Sequence, residues 1–149
     1  MKVYLAGPIS WLTYEQATQW RKEAKEQLEK LGFTVIDPMR QKEPTGDILE
    51  NENGTRNGIQ YWTQDRLDIE QCDILLVNFL DAGLVVSIGT CVEIGMAVQL
   101  NIPIVVIMEQ DNVHQHPFIT TPAEYIANVL EHAIGYCEFI KDFPEKDSF

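Results

Sequence analysis

A glutamate follows a short run of small and polar residues near the middle of the chain, and this combination suits nucleophilic chemistry. The run Ser87-Ile88-Gly89-Thr90 opens a helix that we predict from about Gly89 to Leu100 and that contains Glu93. The helix dipole favours a carboxylate in a first turn, so Glu93 would stay ionised and serve as a nucleophile. A glutamate that only favours the start of a helix fits this stretch equally well.

The same run lies where a parallel sheet binds its ligands. An apolar strand predicted at Asp73–Phe79 leads into it. Ligands of open parallel sheets bind at the carboxyl ends of the strands, against helix N-termini. At such an end the backbone N–H groups of Ser87, Gly89 and Thr90 would be unpaired and available to an anion or a polar substrate. We therefore expect a substrate site at this end of the sheet.

The hydrophobic pattern of the chain predicts strands that alternate with helices. The predicted strands are Lys2–Ala6, Phe33–Ile36, Asp73–Phe79, Pro103–Met108 and, last and short, Tyr136–Phe143. The predicted helices run from a capping box at Thr13 to about Leu31, over Ile59–Gln71, over Gly89–Leu100, and from a second capping box at Thr121 to about His132. This alternation predicts one three-layer, doubly wound α/β domain over residues 1–149. Its sheet would be mostly parallel and five-stranded, of the flavodoxin or Rossmann-like type.

Two stretches between these elements are candidate parts of the site. Gly7-Pro8 ends the first strand, where a glycine either lets a ligand approach the backbone closely or makes an ordinary turn. The polar stretch Pro38–Asn57 contains Gly, Pro and Asn but little periodicity, and a loop of this length is usually functional or mobile. We interpret it as a lid or rim over the site, with a disordered surface excursion as the equal alternative.

Composition excludes several classes of partner. The formal charge of the 149-residue chain is −12 and no basic patch is evident, so a nucleic-acid polymer is not expected as a partner. No apolar run reaches membrane length, and the N-terminal run is interrupted at Gly7, too early for a signal peptide. The three cysteines are odd in number and far apart, which suits a reducing compartment and predicts a cytoplasmic protein. His114 and His116 have no apparent third partner for zinc, and neither a metal nor a cofactor is expected.

Three segments together resemble the nucleoside 2-deoxyribosyltransferase superfamily, over nearly the whole chain from Val3 to about Glu131. The first is Tyr4-Leu5-Ala6-Gly7-Pro8-Ile9 in the first strand. The second is Gln64-Asp65, with Asp73 eight residues after Asp65. The third is Ser87-Ile88-Gly89-Thr90-Cys91-Val92-Glu93-Ile94-Gly95-Met96-Ala97. Each segment alone is a weak signal, whereas their order and spacing together are fairly specific.

The resemblance implies a reaction at the anomeric carbon of a nucleoside or nucleotide. By the family's motifs, Glu93 is the nucleophile that attacks C1′ and forms a glycosyl-enzyme ester, and Asp65 is the acid that helps the departing base accept a proton. An N-glycosidic bond breaks through an oxocarbenium-like transition state, which needs one ionised carboxylate under C1′ and one proton donor near the base. Tyr4 matches a family tyrosine that holds the nucleophile, although a strand aromatic packed in the core is an equal alternative.

The family divides on what binds the sugar 5′ position. Transferases acting on free nucleosides carry an Asp six residues before the nucleophile, where this sequence has Ser87. The resemblance is closer to the hydrolase branch, which acts on deoxynucleoside 5′-monophosphates. An Asp would repel a phosphate, whereas Ser87 with the N–H groups of Gly89 and Thr90 would bind it.

One departure from that branch concerns positive charge. The branch often has an Arg after the glycine of the first strand, and here Ser10 and Trp11 follow Ile9. If a phosphate is bound, either Arg21, Arg40 or Arg56 neutralises it or no arginine does. The substrate-binding residues assigned through the resemblance are Gly7, Ile9, Ser87, Gly89, Thr90 and His116.

The family completes its site with a loop from a neighbouring subunit. By position this loop is Asn112–Thr121, and its polar candidates are His116, Thr120 and Thr121. The resemblance therefore implies a homodimer or a higher homo-oligomer. Trp11 and Trp62 either stack on a base or pack in the core.

Three functions remain open at this point. The first choice is an N-glycosidase acting on deoxynucleoside or nucleoside 5′-monophosphates. The second is a deoxyribosyltransferase that exchanges the base on free deoxynucleosides, and the two differ in whether water or a second base resolves the ester at Glu93. The third is a non-catalytic nucleotide-binding module, against which the presence of both Asp65 and Glu93 argues.

Overall fold

Five strands and five helices alternate in the computed structural model of the chain, which describes residues 1–40, 58–80 and 82–143. The strands are β1 (Lys2–Ala6), β2 (Thr34–Ile36), β3 (Ile74–Asn78), β4 (Ile104–Ile107) and β5 (Tyr125–Ala127). The helices are α1 (Tyr14–Lys30), α2 (Gly58–Glu70), α3 (Ile88–Gln99), α4 (Pro117–Thr120) and α5 (Leu130–Asp142).

The strands form one all-parallel sheet in the order β2-β1-β3-β4-β5, which confirms the predicted doubly wound α/β fold. The chain moves outward from β1 to β2 on one side, and from β3 through β4 to β5 on the other. The strand order therefore reverses between β1 and β3. In open α/β sheets, ligands bind at the carboxyl ends of the strands on either side of such a reversal.

Helices cover both faces of the sheet, and the alternation of β1 side chains assigns each residue to a face. Val3 and Leu5 pack with α1 and α5 in one buried cluster. Tyr4 and Ala6 pack with α2 and α3 in the other. All five residues of β3 are buried, as expected for a strand covered on both sides. Tyr4 therefore faces the two helices that carry Asp65 and Glu93.

The first half of the chain follows its local signals closely. Thr13 caps α1, with its Oγ1 accepting from the N–H of Gln16 at 3.1 Å and its own N–H donating to the Gln16 side chain at 2.9 Å. This confirms the predicted capping box. The helix ends at Leu31, followed by Gly32 at a φ of 81°. The bounds of α2, β3, α3 and β4 differ from prediction by a residue or so at each end.

The prediction for the elements after β4 was wrong. Thr121 does not open a helix, because residues 125–127 pair in parallel with β4 as strand β5. Nearly all of the expected strand Tyr136–Phe143 lies in helix α5, whose Ala133, Ile134 and Cys137 are buried at helical spacing. A short helix, α4, also interrupts the predicted loop Glu109–Thr120.

The proposed lid falls largely on residues 41–57, outside the described part of the chain. All three cysteines of the sequence are free thiols. Among residues 1–40, 58–80 and 82–143, no helix is long and apolar enough to span a bilayer.

Candidate active site

A hydrogen bond between β1 and α3 forms the centre of the candidate site. The hydroxyl of Tyr4 donates to Oε1 of Glu93 at 2.7 Å. Burial, with the nearby charges of Glu93 and Asp65, raises the pKa of Tyr4 well above its usual value. The hydroxyl therefore keeps its proton, remains a donor and fixes one carboxylate oxygen of Glu93. Tyr4 combines its two predicted alternatives. Its ring packs in the core, and its hydroxyl is hydrogen-bonded to Glu93.

The prediction that Glu93 lies in the first turn of its helix, where the helix dipole keeps it ionised, was wrong. The helix α3 begins at Ile88 with Ser87 as its N-cap, which places Glu93 in the second turn. The effect of a helix dipole falls off within the first turn, so it acts only weakly on Glu93. The hydroxyl of Tyr4 donates to this carboxylate and helps to orient it.

Asp65 and Arg21 lie within electrostatic reach of this pair. Asp65, on α2, is half-buried, and its charge raises the pKa of Tyr4 and that of Arg21. Arg21, on α1, is fully buried, and its desolvation lowers its pKa while Asp37, Glu93 and Asp65 raise it. Four elements, β1, α1, α2 and α3, thus each contribute one titratable group to the same region.

Arg21 also fixes the end of β1. Its Nη2 donates to the carbonyl oxygen of Gly7 at 3.0 Å, and Nη1 donates to the carbonyl of Ala17. Its Nε lies 3.7 Å from Oδ1 of Asp37 and has no hydrogen-bond partner in the described chain. A Cβ on Gly7 would lie 2.7 Å from the carbonyl oxygen of Asn78. Glycine at position 7 therefore allows close packing of the ends of β1 and β3.

The N-terminus of α3 is less open than predicted. Oγ of Ser87 accepts from the N–H of Thr90 at 3.4 Å and shares a hydrogen bond with its hydroxyl at 2.8 Å. The N–H of Ser87 donates to Nε2 of His114 at 2.8 Å. The amides of Ser87 and Thr90 are therefore already paired, contrary to expectation. Within the described chain, the N–H groups of Ile88 and Gly89 have no acceptor, and Gly89 is exposed.

His114 is the residue of this region that the sequence did not reveal. The sequence indicates His114 only as half of a candidate zinc pair, yet the residue is buried and stacks on Phe79 with ring centroids 3.8 Å apart. The only local signal was its spacing from Asn112, whose side-chain oxygen accepts from the N–H of His114 at 2.9 Å. Its contact with Ser87 depends on tertiary structure and has no sequence signature. Among the described residues, no group of His, Cys, Asp and Glu could hold a metal ion.

His116 lies on a different surface from Tyr4 and Glu93. It is exposed, caps α4 by accepting from the N–H of Phe118, and lines an apolar groove of about 780 Å³ between α3 and α4. Tyr4, Asp65 and Glu93 do not line this groove. Within the described part of one chain, His116 is thus not brought together with the carboxylates.

Of the remaining candidate residues, Ile9 and Trp11 follow β1 along the chain and Trp62 lies on α2. Ile9 packs with Ala17 and Met39 in a small cluster. Trp11 is 67% exposed and has a φ of 70°, which is strained for a bulky side chain. Trp62 is 52% exposed. The core alternative for both tryptophans was therefore wrong, and their rings are accessible.

Each arginine that the structure describes is paired with a carboxylate. Nη2 of Arg40 lies 2.7 Å from Asp68, and Arg66 pairs with Glu70 one helical turn away. Arg21 lies beside Asp37. Arg56, the other candidate to neutralise a phosphate, lies outside the described residues.

Glu93 and Asp65 thus both lie near the buried Tyr4 at the reversal point of a parallel sheet, and a pair of carboxyl groups is the arrangement with which many enzymes break glycosidic bonds. The sequence of residues 3–139 matches the model of the nucleoside 2-deoxyribosyltransferase family, and the chain belongs to this family. It is accordingly an enzyme that acts on the N-glycosyl bond of small nucleoside or nucleotide substrates. A comparison with curated protein sequences finds no match.

Solved structures of similar fold include a 2-deoxyribosyltransferase and an N-glycosidase. A 2-deoxyribosyltransferase from Bacillus psychrosaccharolyticus superposes with a TM-score of 0.68 at 19% identity, covering 99% of this chain and 95% of its own. A CMP N-glycosidase from Clostridium botulinum gives a TM-score of 0.61 at 19% identity, covering 94% and 99%. A conserved protein from Enterococcus faecalis gives 0.65 at 16% identity, covering 91% and 95%. At these identities the likeness establishes the fold.

Proposed function

We propose that the protein hydrolyses the N-glycosidic bond of deoxynucleoside or nucleoside 5′-monophosphates, with residues 1–149 acting as one domain and Glu93 as the nucleophile. The observation that carries the proposal is the hydrogen bond from Tyr4 to Glu93, with Asp65 in electrostatic reach. A purely binding module has no need for a carboxylate oriented by a buried hydroxyl beside a second carboxylate.

The reaction divides into two displacements at C1′. An oxygen of Glu93 attacks C1′ and forms an ester, the bond from C1′ to the base nitrogen breaks, and the base receives its proton from Asp65. Water then attacks C1′, Glu93 leaves as a carboxylate, and Asp65 takes a proton from the water. Tyr4 holds one oxygen of Glu93 and so orients the carboxylate for the attack.

Support for a phosphate comes from the N-terminus of α3. Ser87 has no charge to repel a phosphate, and the N–H groups of Ile88 and Gly89 lie at the positive end of a 12-residue helix. The fold neighbour from Clostridium botulinum is named for cleavage of CMP, a nucleoside monophosphate. The paired arginines of the described chain argue the other way, because none of them is uncommitted.

The second candidate function is base exchange on free deoxynucleosides. The sequence match to the deoxyribosyltransferase family favours it equally at the level of the family. The two functions separate when the protein is incubated with nucleosides and with 5′-monophosphates, each with and without an acceptor base, and the bases are resolved by chromatography. Base release from monophosphates without an acceptor supports hydrolysis. Release that occurs only with an acceptor, and only from nucleosides, supports the transferase.

We also propose that the protein assembles as a homodimer or higher homo-oligomer, with the Asn112–Thr121 loop near a neighbour's site. Large apolar side chains are exposed along α3, the segment before it and α4. These are Leu84, Val85, Val86, Ile88, Val92, Val98 and Phe118. Apolar surface of this kind on a folded protein marks interaction sites. If a second copy covers this surface, His116 and Thr121 of one copy come close to the site of the other copy, although they do not reach the site of their own chain.

A further inference from the structure

We propose that His114 is a positioning residue: its neutral ring holds the backbone of Ser87 and thereby sets the N-terminus of α3, where the substrate's 5′ group binds. The location of the 5′ group rests on the proposed function. The contact between His114 and Ser87 does not, and it can be tested without any substrate.

The hydrogen bonds of the ring define its protonation. Nε2 of His114 accepts the N–H of Ser87 at 2.8 Å, and a ring nitrogen that accepts carries no proton. The proton of the neutral ring is therefore on Nδ1, which lies 2.9 Å from Oδ1 of Asn112 and donates to it. The residue is only 2% exposed, so water does not replace either partner.

The network behind the ring connects α3 to two strands. Nδ2 of Asn112 donates to the carbonyl oxygen of Phe79 at 2.7 Å, just beyond β3. It also donates to Oε2 of Glu109 at 2.6 Å, just beyond β4. The ring of His114 stacks on Phe79 with an interplanar angle of 14°. Through His114, the N-cap residue Ser87 is thus linked to the carboxyl ends of β3 and β4.

Protonation of the ring would break this contact. A proton on Nε2 would face the N–H of Ser87, donor against donor, at the positive end of α3. Burial already lowers the pKa of His114. Among the described residues, the ring contacts Phe79, Ser87 and Asn112, none of which is charged.

The titratable groups on the elements around the ring do not offset the repulsion between a protonated Nε2 and the N–H of Ser87. Cys91 of α3 lines the same groove, and burial raises the pKa of its thiol, so it stays neutral. Glu109 is linked to the ring through Asn112, and His116 and Asp111 are exposed on the same loop. The contact with Ser87 is therefore intact at neutral pH and is lost as the pH falls through the pKa of His114.

The first test is nuclear magnetic resonance of the whole protein without ligand. We expect Nδ1 of His114 to carry the proton, its pKa to lie below the usual value of about 6.5, and the amide signal of Ser87 to titrate with it. In His114→Gln, where a side-chain oxygen still accepts the amide, the signal of Ser87 should no longer titrate in this range. The proposal would be overturned if the amide signal of Ser87 neither titrates with His114 in the wild type nor changes when His114 is substituted.

The second test is kinetic and separates binding from chemistry. His114→Leu removes the acceptor, so KM for the substrate should rise on the order of tenfold while kcat stays near that of the wild type. The KM of the wild type should also rise at acid pH. His114→Gln should keep a KM near that of the wild type at neutral pH, and its KM should not rise at acid pH. His132→Gln, an exposed histidine on α5, is the matched control and should behave as the wild type. An unchanged KM in His114→Leu would contradict the proposal, and an enzyme with no nucleotide activity would refute the proposed function while leaving the test on Ser87 intact.

Discussion

Tyr4 and Glu93 are 89 positions apart in the chain, and the hydrogen bond between their side chains is the central contact of the candidate site. Neither residue is unusual in its local sequence. Tyr4 alternates with Val3 and Leu5 in an apolar strand, and Glu93 lies in a helix of small residues. The resemblance to a family identified both residues. The pairing of a strand tyrosine with a helix carboxylate requires the sheet to bring β1 under α3.

Tyr4→Phe tests what the hydroxyl contributes. The ring stays in the core, so the fold should be retained, while Glu93 loses the donor that orients it. A hydrogen bond to a charged group contributes about 1.5–3 kcal/mol, which corresponds to roughly a 10- to 100-fold loss in kcat/KM. The measurement is kcat/KM together with the thermal midpoint. Unchanged kcat/KM in a folded variant would show that Tyr4 is only a core residue.

Asp65→Asn tests the proton donor. A general acid matters most when the leaving group is basic, so poor leaving bases should lose on the order of 10²- to 10⁴-fold in rate and good ones much less. The measurement is a series of substrates that differ only in the basicity of the leaving base. An equal loss for every base would mean that Asp65 orients the substrate without giving it a proton.

At the scale of single elements, local signals predicted where most helices and strands begin and end. The capping box at Thr13 and the apolar run of β3 are complete within a few residues of sequence. The C-terminal elements were not predictable in this way. The sequence after Thr121 matches a capping box, yet pairing with β4 makes residues 125–127 a strand. A tertiary contact thus overrides the local preference, and α5 starts later as a result.

The N-terminus of α3 is the element that should decide between the two enzyme functions. Ser87 has no charge, and a carboxylate at its position would repel the nearly doubly charged phosphate of a monophosphate by several kcal/mol, on the order of 10³-fold in kcat/KM. We expect the wild type to prefer monophosphates over the matching nucleosides, and Ser87→Asp to reverse this order. Because Asp is also a good N-cap, the helix should remain folded. A wild type that prefers free nucleosides would make the transferase the better assignment.

At the scale of the whole molecule, the order β2-β1-β3-β4-β5 brings Tyr4 of the central sheet close to Glu93 and Asp65 on the helices that cover it. The alternation of elements predicted this fold. It did not predict which surfaces remain exposed, because exposure depends on how α3 and α4 pack. The apolar groove between them and the buried position of His114 are visible only in three dimensions.

Assembly can be tested on that exposed surface. Phe118 is 82% exposed in the groove, and an aspartate there would oppose its burial against a second copy. We expect sedimentation of the wild type to show a dimer or larger species, and Phe118→Asp to shift it toward a less active monomer. Phe143→Asp, at an exposed aromatic residue following α5, is the control and should leave the assembly unchanged. A fully active wild-type monomer would contradict the proposed assembly.

The most direct test of the central claim is to look for the ester on Glu93. The protein is mixed with a 5′-monophosphate, quenched with acid and digested, and the peptide containing residue 93 is weighed by mass spectrometry. We predict a mass increase equal to the substrate without its base, absent from Glu93→Ala, together with a loss of base release by on the order of 10³-fold or more in that variant. Near-normal base release by a folded Glu93→Ala, with no adduct on the wild type, would contradict the account.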